Sequence, residues 1–283
     1  MPNRQARLNF EGIEDQEDQL NELFYGVHLI RKSVEYLKYL DFITRFKRYS
    51  IFNTSLVYVQ KPETAWFATP KNWRKRGRRI KEDARPLVML QPGGPIMFVY
   101  DVNDTYGENL PESLFEPFRV EGDFDEKLWY RLSNSIREFK FKLIKKDEII
   151  QRGGAVARKS SDSPMVRFEI TINNRQKEEV HFQTVVHELA HVFCGHLGSA
   201  SDEKWPDRRD LNKQSREFEA ESVSYLVCRR QGLDTKSDEY LAQHINSDDH
   251  IPQISIEKVL RSADWIEKIL EGTELKLYRQ NNN

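Results

Sequence analysis

Two histidines four residues apart, with a glutamate beside the first, limit this chain more than any other feature. His187-Glu188-Leu189-Ala190-His191 reads HExxH. Positions i and i+4 stack on one face only in an α-helix, so two imidazoles that share a metal at this spacing require the segment to be helical. The flanks agree: Thr184-Val185-Val186 precede the motif, Val192-Phe193 follow it, and Cys194-Gly195-His196 offers a stop. The pattern predicts a helix opening near Lys177, with His187 and His191 clamping one Zn2+ and Glu188 as general base toward a metal-activated water. Zinc lowers the pKa of such a water to about 7. Glu188 would then take the proton as hydroxide attacks a carbonyl and pass it to the leaving amine.

A catalytic zinc needs a third protein ligand. His196 follows His191 by five residues, where a metzincin needs six with a glycine at three, so it reads as a cation at the helix C-terminus or a group supporting a ligand from behind. A second helix over residues 215–229 carries Glu217, Glu219 and Glu221. At 100° per residue Glu219 falls with Ser222, Arg229 and Arg230 on the expected solvent face, whereas Glu221 lies among Phe218, Ser224, Tyr225 and Cys228. Glu221 is therefore the expected ligand. Glu217, one turn earlier on the same face, either coordinates or orients a histidine from behind. The plain alternative for each glutamate is a surface charge or an ion pair. Residues 166–173 alternate as a half-exposed strand should, and are expected either to border the cleft and pair with an extended substrate or to be simple core.

The rest of the chain looks like a second module. Its 283 residues suffice for one large or two modest domains, and 38% hydrophobic residues support a real core. A charged fraction of 31% and a mean hydropathy of −0.73 indicate a wet surface. No run approaches the ~20 apolar residues of a membrane span, and the start lacks a secretory core, so no membrane partner and a cytoplasmic location are expected. Cys194 and Cys228 form no CxxC pair, which excludes a disulfide framework and a thiolate zinc site.

Net charge is only −1, but residues 31–81 hold fourteen Lys and Arg against three acids, a net of +11 that leaves −12 on the remainder. Residues 71–81 alone carry seven cations around Trp73. Such a run is either a solvated face or a nucleic-acid footprint. Helical periodicity runs from Leu20 to Phe46, a second helix is expected over residues 54–60, and residues 87–90 and 96–100 read as a β-hairpin. Further on, a helix is predicted over residues 126–137, a strand over 139–144, a loop over 152–164 and a C-terminal helix over 254–275. The expected fold is α+β: a mobile acidic lead-in (1–15), a helix-plus-small-sheet domain (16–115), and a zincin-like domain with a C-terminal helix (116–283).

Residues 184–191 followed by residues 216–227 resemble the metallopeptidase domain of ArdC-type antirestriction proteins, itself similar to ImmA/IrrE metallopeptidases. Tyr49-Ser50-Ile51-Phe52-Asn53-Thr54-Ser55-Leu56, then Thr69, Trp73, Gly77-Arg78 and the hairpin running into residues 100–105, resemble the N-terminal single-stranded-DNA-binding domain of the same family. The resemblance covers most of residues 20–245. It implies a plasmid- or phage-type protein that binds single-stranded DNA and carries a zinc protease-like domain. On that reading Arg74, Lys75, Arg76, Arg78 and Arg79 contact the phosphate backbone, Trp73 stacks on a base, and Asn53 holds a base or pins a loop. The leading expectation is a zinc metalloendopeptidase fused to a single-stranded-DNA-binding module, acting on a protein or peptide in antirestriction or DNA-linked proteolysis. The alternatives are a DNA-protection protein whose zinc site is structural or vestigial, and a sensor protease licensed by DNA.

Overall fold

The computed structural model describes residues 33–91, 96–111, 124–147, 154–159, 165–235, 237, 240–241 and 250–279. The expected acidic lead-in and the first half of the long N-terminal helix lie outside these residues, as does most of the expected boundary segment. The chain is α+β and forms two compact units, residues 1–119 and 120–283.

In the first unit, α1 (Ser33–Arg45) and α2 (Ile51–Gln60) pack together on a sheet of order β1-β4-β3, built from β1 (Phe67–Ala68), β3 (Leu87–Met89) and β4 (Met97–Asp101). Ser50 caps α2 by accepting the Asn53 amide. The expected hairpin is present, with Leu87 opposite Val99 and Met89 opposite Met97. Phe42, Phe46, Val57, Phe67, Leu87, Met89 and Val99 form the core between helices and sheet. On α2, Gln60 exchanges two hydrogen bonds with the backbone of Val88 (2.8 and 2.9 Å), and Asn53 does the same with Leu90 (2.8 and 2.9 Å). These two amides occupy the outer hydrogen-bonding edge of β3. Thr69 caps the short helix α3 (Pro70–Lys75), with Pro70 in its first turn, and the chain continues into β2 (Arg78–Ile80), which pairs antiparallel with β5 (Thr105–Gly107).

The second unit sets helices α4 (Glu126–Glu138), α5 (Glu178–Phe193), α6 (Lys213–Arg230) and α7 (Ile256–Glu271) with a mixed sheet. Its strands are β6 (Phe141–Lys146), β7 (Gly154–Arg158) and β8 (Phe168–Asn173), in the order β6-β8-β7. Two expectations are corrected here. The stretch read as a loop over residues 152–164 contains strand β7. Residues 166–173 do not offer a free edge: β8 pairs with β6 in parallel and with β7 antiparallel, so it is the central strand, and Phe168, Ile170 and Ile172 are buried. Helix α5 lies against β7 and β8 and packs on α4, α6 and α7. Gly154 permits this approach, since a Cβ there would sit 2.4 Å from the Thr184 methyl.

Two arginines fasten the sheet to the chain after α5. Arg158 on β7 pairs with the buried carboxylate of Glu203 (2.6 Å) and donates to the carbonyls of Leu197 and Gly198 (3.1 and 2.7 Å). Arg167 forks onto Asp202 (2.7 and 2.6 Å) and reaches Glu203 (3.1 Å). Hydrogen bonding to Arg167 is the main cause that holds the Asp202 carboxyl below its ordinary 3.8. A depressed carboxyl stabilises the fold above its unfolded pKa, and that contribution disappears as pH falls through the folded value. The expected outcome is a melting temperature that falls on acidification below about pH 4. Arg167→Leu should lower it at neutral pH and flatten its slope below pH 4, as read by thermal unfolding at a series of pH values.

Candidate metal centre

Acidic Glu178 and Glu179 sit in the first turn of α5, where the helix dipole favours them, and the HExxH occupies its last turns. His187 Nε2 and His191 Nε2 face each other at 3.1 Å. Across from them on α6, Glu217 Oε2 stands 3.6 Å from the first and 3.7 Å from the second. These three atoms form a nearly equilateral triangle whose corners are about 2 Å from a common point, the reach of zinc to imidazole nitrogen and carboxylate oxygen. The donor set therefore fits a divalent metal. The geometry groups Glu217, and not the expected Glu221, with the histidines. Glu221 instead stands behind His187, with Oε1 3.4 Å from Nδ1 and Oε2 accepting from Ser237 Oγ at 2.6 Å.

The electrostatics follow from crowding and burial. The imidazoles of His187 and His191 hold Glu217 well below the usual carboxylate range. Burial works against protonation of His187, but Glu217, Glu221 and Glu188 outweigh it and lift its pKa above 6.5. His191 has less acid around it: burial, reinforced by its histidine neighbours and opposed by Glu217, pushes it down to about 4. Glu188 is buried on α5, and a Cβ at Gly154 of β7 would lie 3.7 Å from its Oε1.

His196 does not act as an exposed C-terminal cation. It is buried, its Nδ1 meets His191 Nδ1 at 2.9 Å, and its Nε2 meets Glu219 Oε2 at 2.8 Å. Burial keeps its pKa below 6.5 against the pull of Glu219. Glu219, expected on a solvent face, is fully buried. Arg208 grips it in a two-pronged ion pair (2.6 and 2.7 Å), and the Ser255 amide donates to it at 2.7 Å. Of the companions assigned to that face, Ser222 is buried and Arg230 is buried and pairs with Glu267 at 2.7 Å, while Arg229 alone stays partly in water. Arg208 and Ser237 escaped sequence reading because they lie outside any motif. The small residues Ala220, Ser222 and Ser224 on α6 were the available sign of close packing.

The basic run in the first unit is divided. Trp73 is fully buried beside Ala68 and Val102, and its Nε1 donates to the Tyr100 carbonyl at 2.9 Å, so in this fold it is a core residue and offers no stacking face. Arg78 is committed to Thr105 and the Glu108 carbonyl, and Arg76 lies over the Trp66 ring at 4.8 Å. The side chain of Asn53 is committed to the Leu90 backbone at the end of β3. Arg74, Lys75 and Arg79 are exposed. Opposite Arg79 in the β2–β5 pair stands Tyr106, 53% exposed, an aromatic that sequence reading passed over.

No protein-family model matches the chain. An uncharacterized Bacillus anthracis protein, pXO2-81, is 37% identical over 67 residues, which is 24% of this chain and 10% of that protein. The match thus spans about a tenth of that relative's length. Among solved structures, the antirestriction protein ArdC from plasmid R388 is similar in its metal-free form, with a TM-score of 0.37, 12% identity, and coverage of 80% of this chain and 86% of that one. Its Mn(II)-bound form gives a TM-score of 0.42 and 10% identity over 90% of this chain and 96% of that one.

The two glutamates are separable by experiment. Glu217→Ala should weaken zinc binding at least 100-fold in chelator competition, like His191→Ala, while Glu221→Gln should retain a stoichiometric zinc with affinity lowered about tenfold. In the first unit, Trp73→Ala should destabilise the fold by about 3–5 kcal/mol in denaturant titration.

Proposed function

We propose that this protein is a metal-dependent, most simply zinc-dependent, endopeptidase joined to a module that binds single-stranded DNA. The observation that carries the peptidase reading is the convergence of His187 Nε2, His191 Nε2 and Glu217 Oε2 beside the buried carboxylate of Glu188. When bound, the metal supplies a Lewis acid that polarises a carbonyl and acidifies water. The protein's own groups divide the remaining work. Glu188 holds the proton taken from water and returns it to the leaving amine. Glu221 faces His187 Nδ1 and would hold a proton there once a metal takes up the lone pair on Nε2. Strand β7, and not β8, provides the substrate edge, because its side away from β8 is unpaired among the described residues and Gly154 brings it next to Glu188. An extended peptide added there is held by backbone hydrogen bonds, which favours a protein substrate with little sequence demand.

The DNA-binding part rests on the +11 charge of residues 31–81 and on the exposed Arg74, Lys75, Arg79 and Tyr106. The antirestriction setting rests on the sequence resemblance to ArdC-type proteins. Cytoplasmic action belongs to the same reading, and no described helix is long and apolar enough to cross a membrane.

Glu188→Gln keeps the ligand set and removes the base. The variant should bind metal like the wild type and lose at least 100-fold in peptide cleavage. Wild type that carries zinc yet cuts nothing, under any DNA condition, would return the site to a structural role. For the first unit, replacing Arg74, Lys75 and Arg79 by alanine should reduce the salt slope of single-stranded-DNA binding by roughly 2, and Tyr106→Ala should cost about 1–3 kcal/mol of affinity.

A further inference from the structure

The histidine pair at the end of α5 has a proton arrangement that can be derived from the opposite end of its hydrogen-bond chain. Glu219 accepts four hydrogen bonds: two from Arg208, one from the Ser255 amide and one from His196 Nε2. An ionised carboxylate only accepts, and so does each oxygen facing a guanidinium. His196 Nε2 must therefore carry hydrogen. Arg208 already matches the charge of Glu219 and the His196 ring is buried, which favours the neutral imidazole; its other nitrogen is then an acceptor, so His196 Nδ1 has a lone pair, aimed at His191 Nδ1 at 2.9 Å. Two lone pairs do not face each other at that distance, so His191 Nδ1 must be the donor. That leaves the lone pair of His191 on Nε2, the atom directed at His187 Nε2 and Glu217.

We propose that Arg208, Glu219 and His196 are positioning residues that preset His191 in its metal-accepting tautomer before any metal arrives. This rests on the metal reading above for its purpose but not for its derivation, since every step starts from Arg208. The chain is rigidly mounted. Arg208 also donates to the Cys194 carbonyl (3.1 Å), and its amide donates to the Gly195 carbonyl (2.9 Å). Gly195 has φ +84°, and a Cβ there would lie 2.1 Å from the Pro206 carbonyl oxygen, so the return of residues 206–208 against the end of α5 needs a glycine. His196 and Glu219 have essentially no exposure, which keeps water from offering a competing partner.

Long-range nitrogen–proton NMR of the metal-free full chain, labelled with 15N-histidine, reads the tautomers directly. The expected spectrum shows His191 protonated on Nδ1 and His196 on Nε2; His191 protonated on Nε2 overturns the proposal. His196→Leu leaves the Glu219–Arg208 pair in place and should release His191 to a mixture of tautomers, with zinc affinity lowered about 10–100-fold in chelator competition. His196→Gln, whose amide offers one acceptor and one donor in the same order, should recover most of that loss. Equal zinc affinity in wild type and His196→Leu overturns the relay. If the leucine variant does not fold, the wild-type spectrum and the glutamine variant decide the matter. Wild type that takes up no zinc removes the metal reading, and the tautomer spectrum then stands or falls alone.

Discussion

A carboxylate taken fully out of water must find its hydrogen bonds inside the protein or lose its charge, and Glu219 finds four. Much of the second unit is arranged around that demand. The end of α5 contributes His196, the returning loop contributes Arg208, and the N-cap residue of α7 contributes an amide, so three separate parts of the chain meet at one residue of α6. Burial raises the cost of ionising Glu219, yet its partners outweigh that cost and hold it below the usual 4.5. Cys194 shows what the same surroundings do to a group with weaker compensation: burial and the nearby Glu219 push its thiol far up against the opposing pull of Ser262, Arg208 and Lys258, so it remains a small apolar filler against Ser262.

Features with a strong local period were legible in the sequence. The HExxH demanded a helix and α5 spans it; the hairpin of the first unit was expected, as were helices from residues 54, 126 and 254, which the structure starts at 51, 126 and 256. Strand β7 was hidden because Gly154-Ala155-Val156-Ala157-Arg158 sits in a Gly- and Ser-rich stretch with one large apolar residue, and it becomes a strand through pairing with β8. That is tertiary information. The helical wheel failed on α6 for a different reason: packed between α5 and α7, the helix is buried on nearly every side, so its glutamates cannot be sorted by looking for a wet face. Glu217 and Glu221 share a face, and only the way α6 crosses α5 decides which one meets the two Nε2 atoms.

The first unit teaches a related lesson about charge. Cations flank Trp73 in the sequence, yet α3 turns the indole inward while the neighbouring Arg74 and Lys75 remain in water. A six-residue helix thereby separates an apolar anchor from its charged neighbours within a single turn. The adjacent β2–β5 ribbon then brings Arg79 and Tyr106 into register from positions 27 residues apart, a juxtaposition invisible to any reading confined to the basic run.

The side chains of Asn53 and Gln60 each present an acceptor and a donor to one backbone residue, Leu90 and Val88, and an acid of the same size could not supply the donor when ionised. Hydrolysis of either amide to its acid would replace a donor by an oxygen aimed at the Leu90 or Val88 carbonyl, turning attraction into repulsion. A change of about one atomic mass unit, with almost no change in side-chain size, would thus set either position against the backbone it now holds, leaving the apolar core alone to keep helix and strand together.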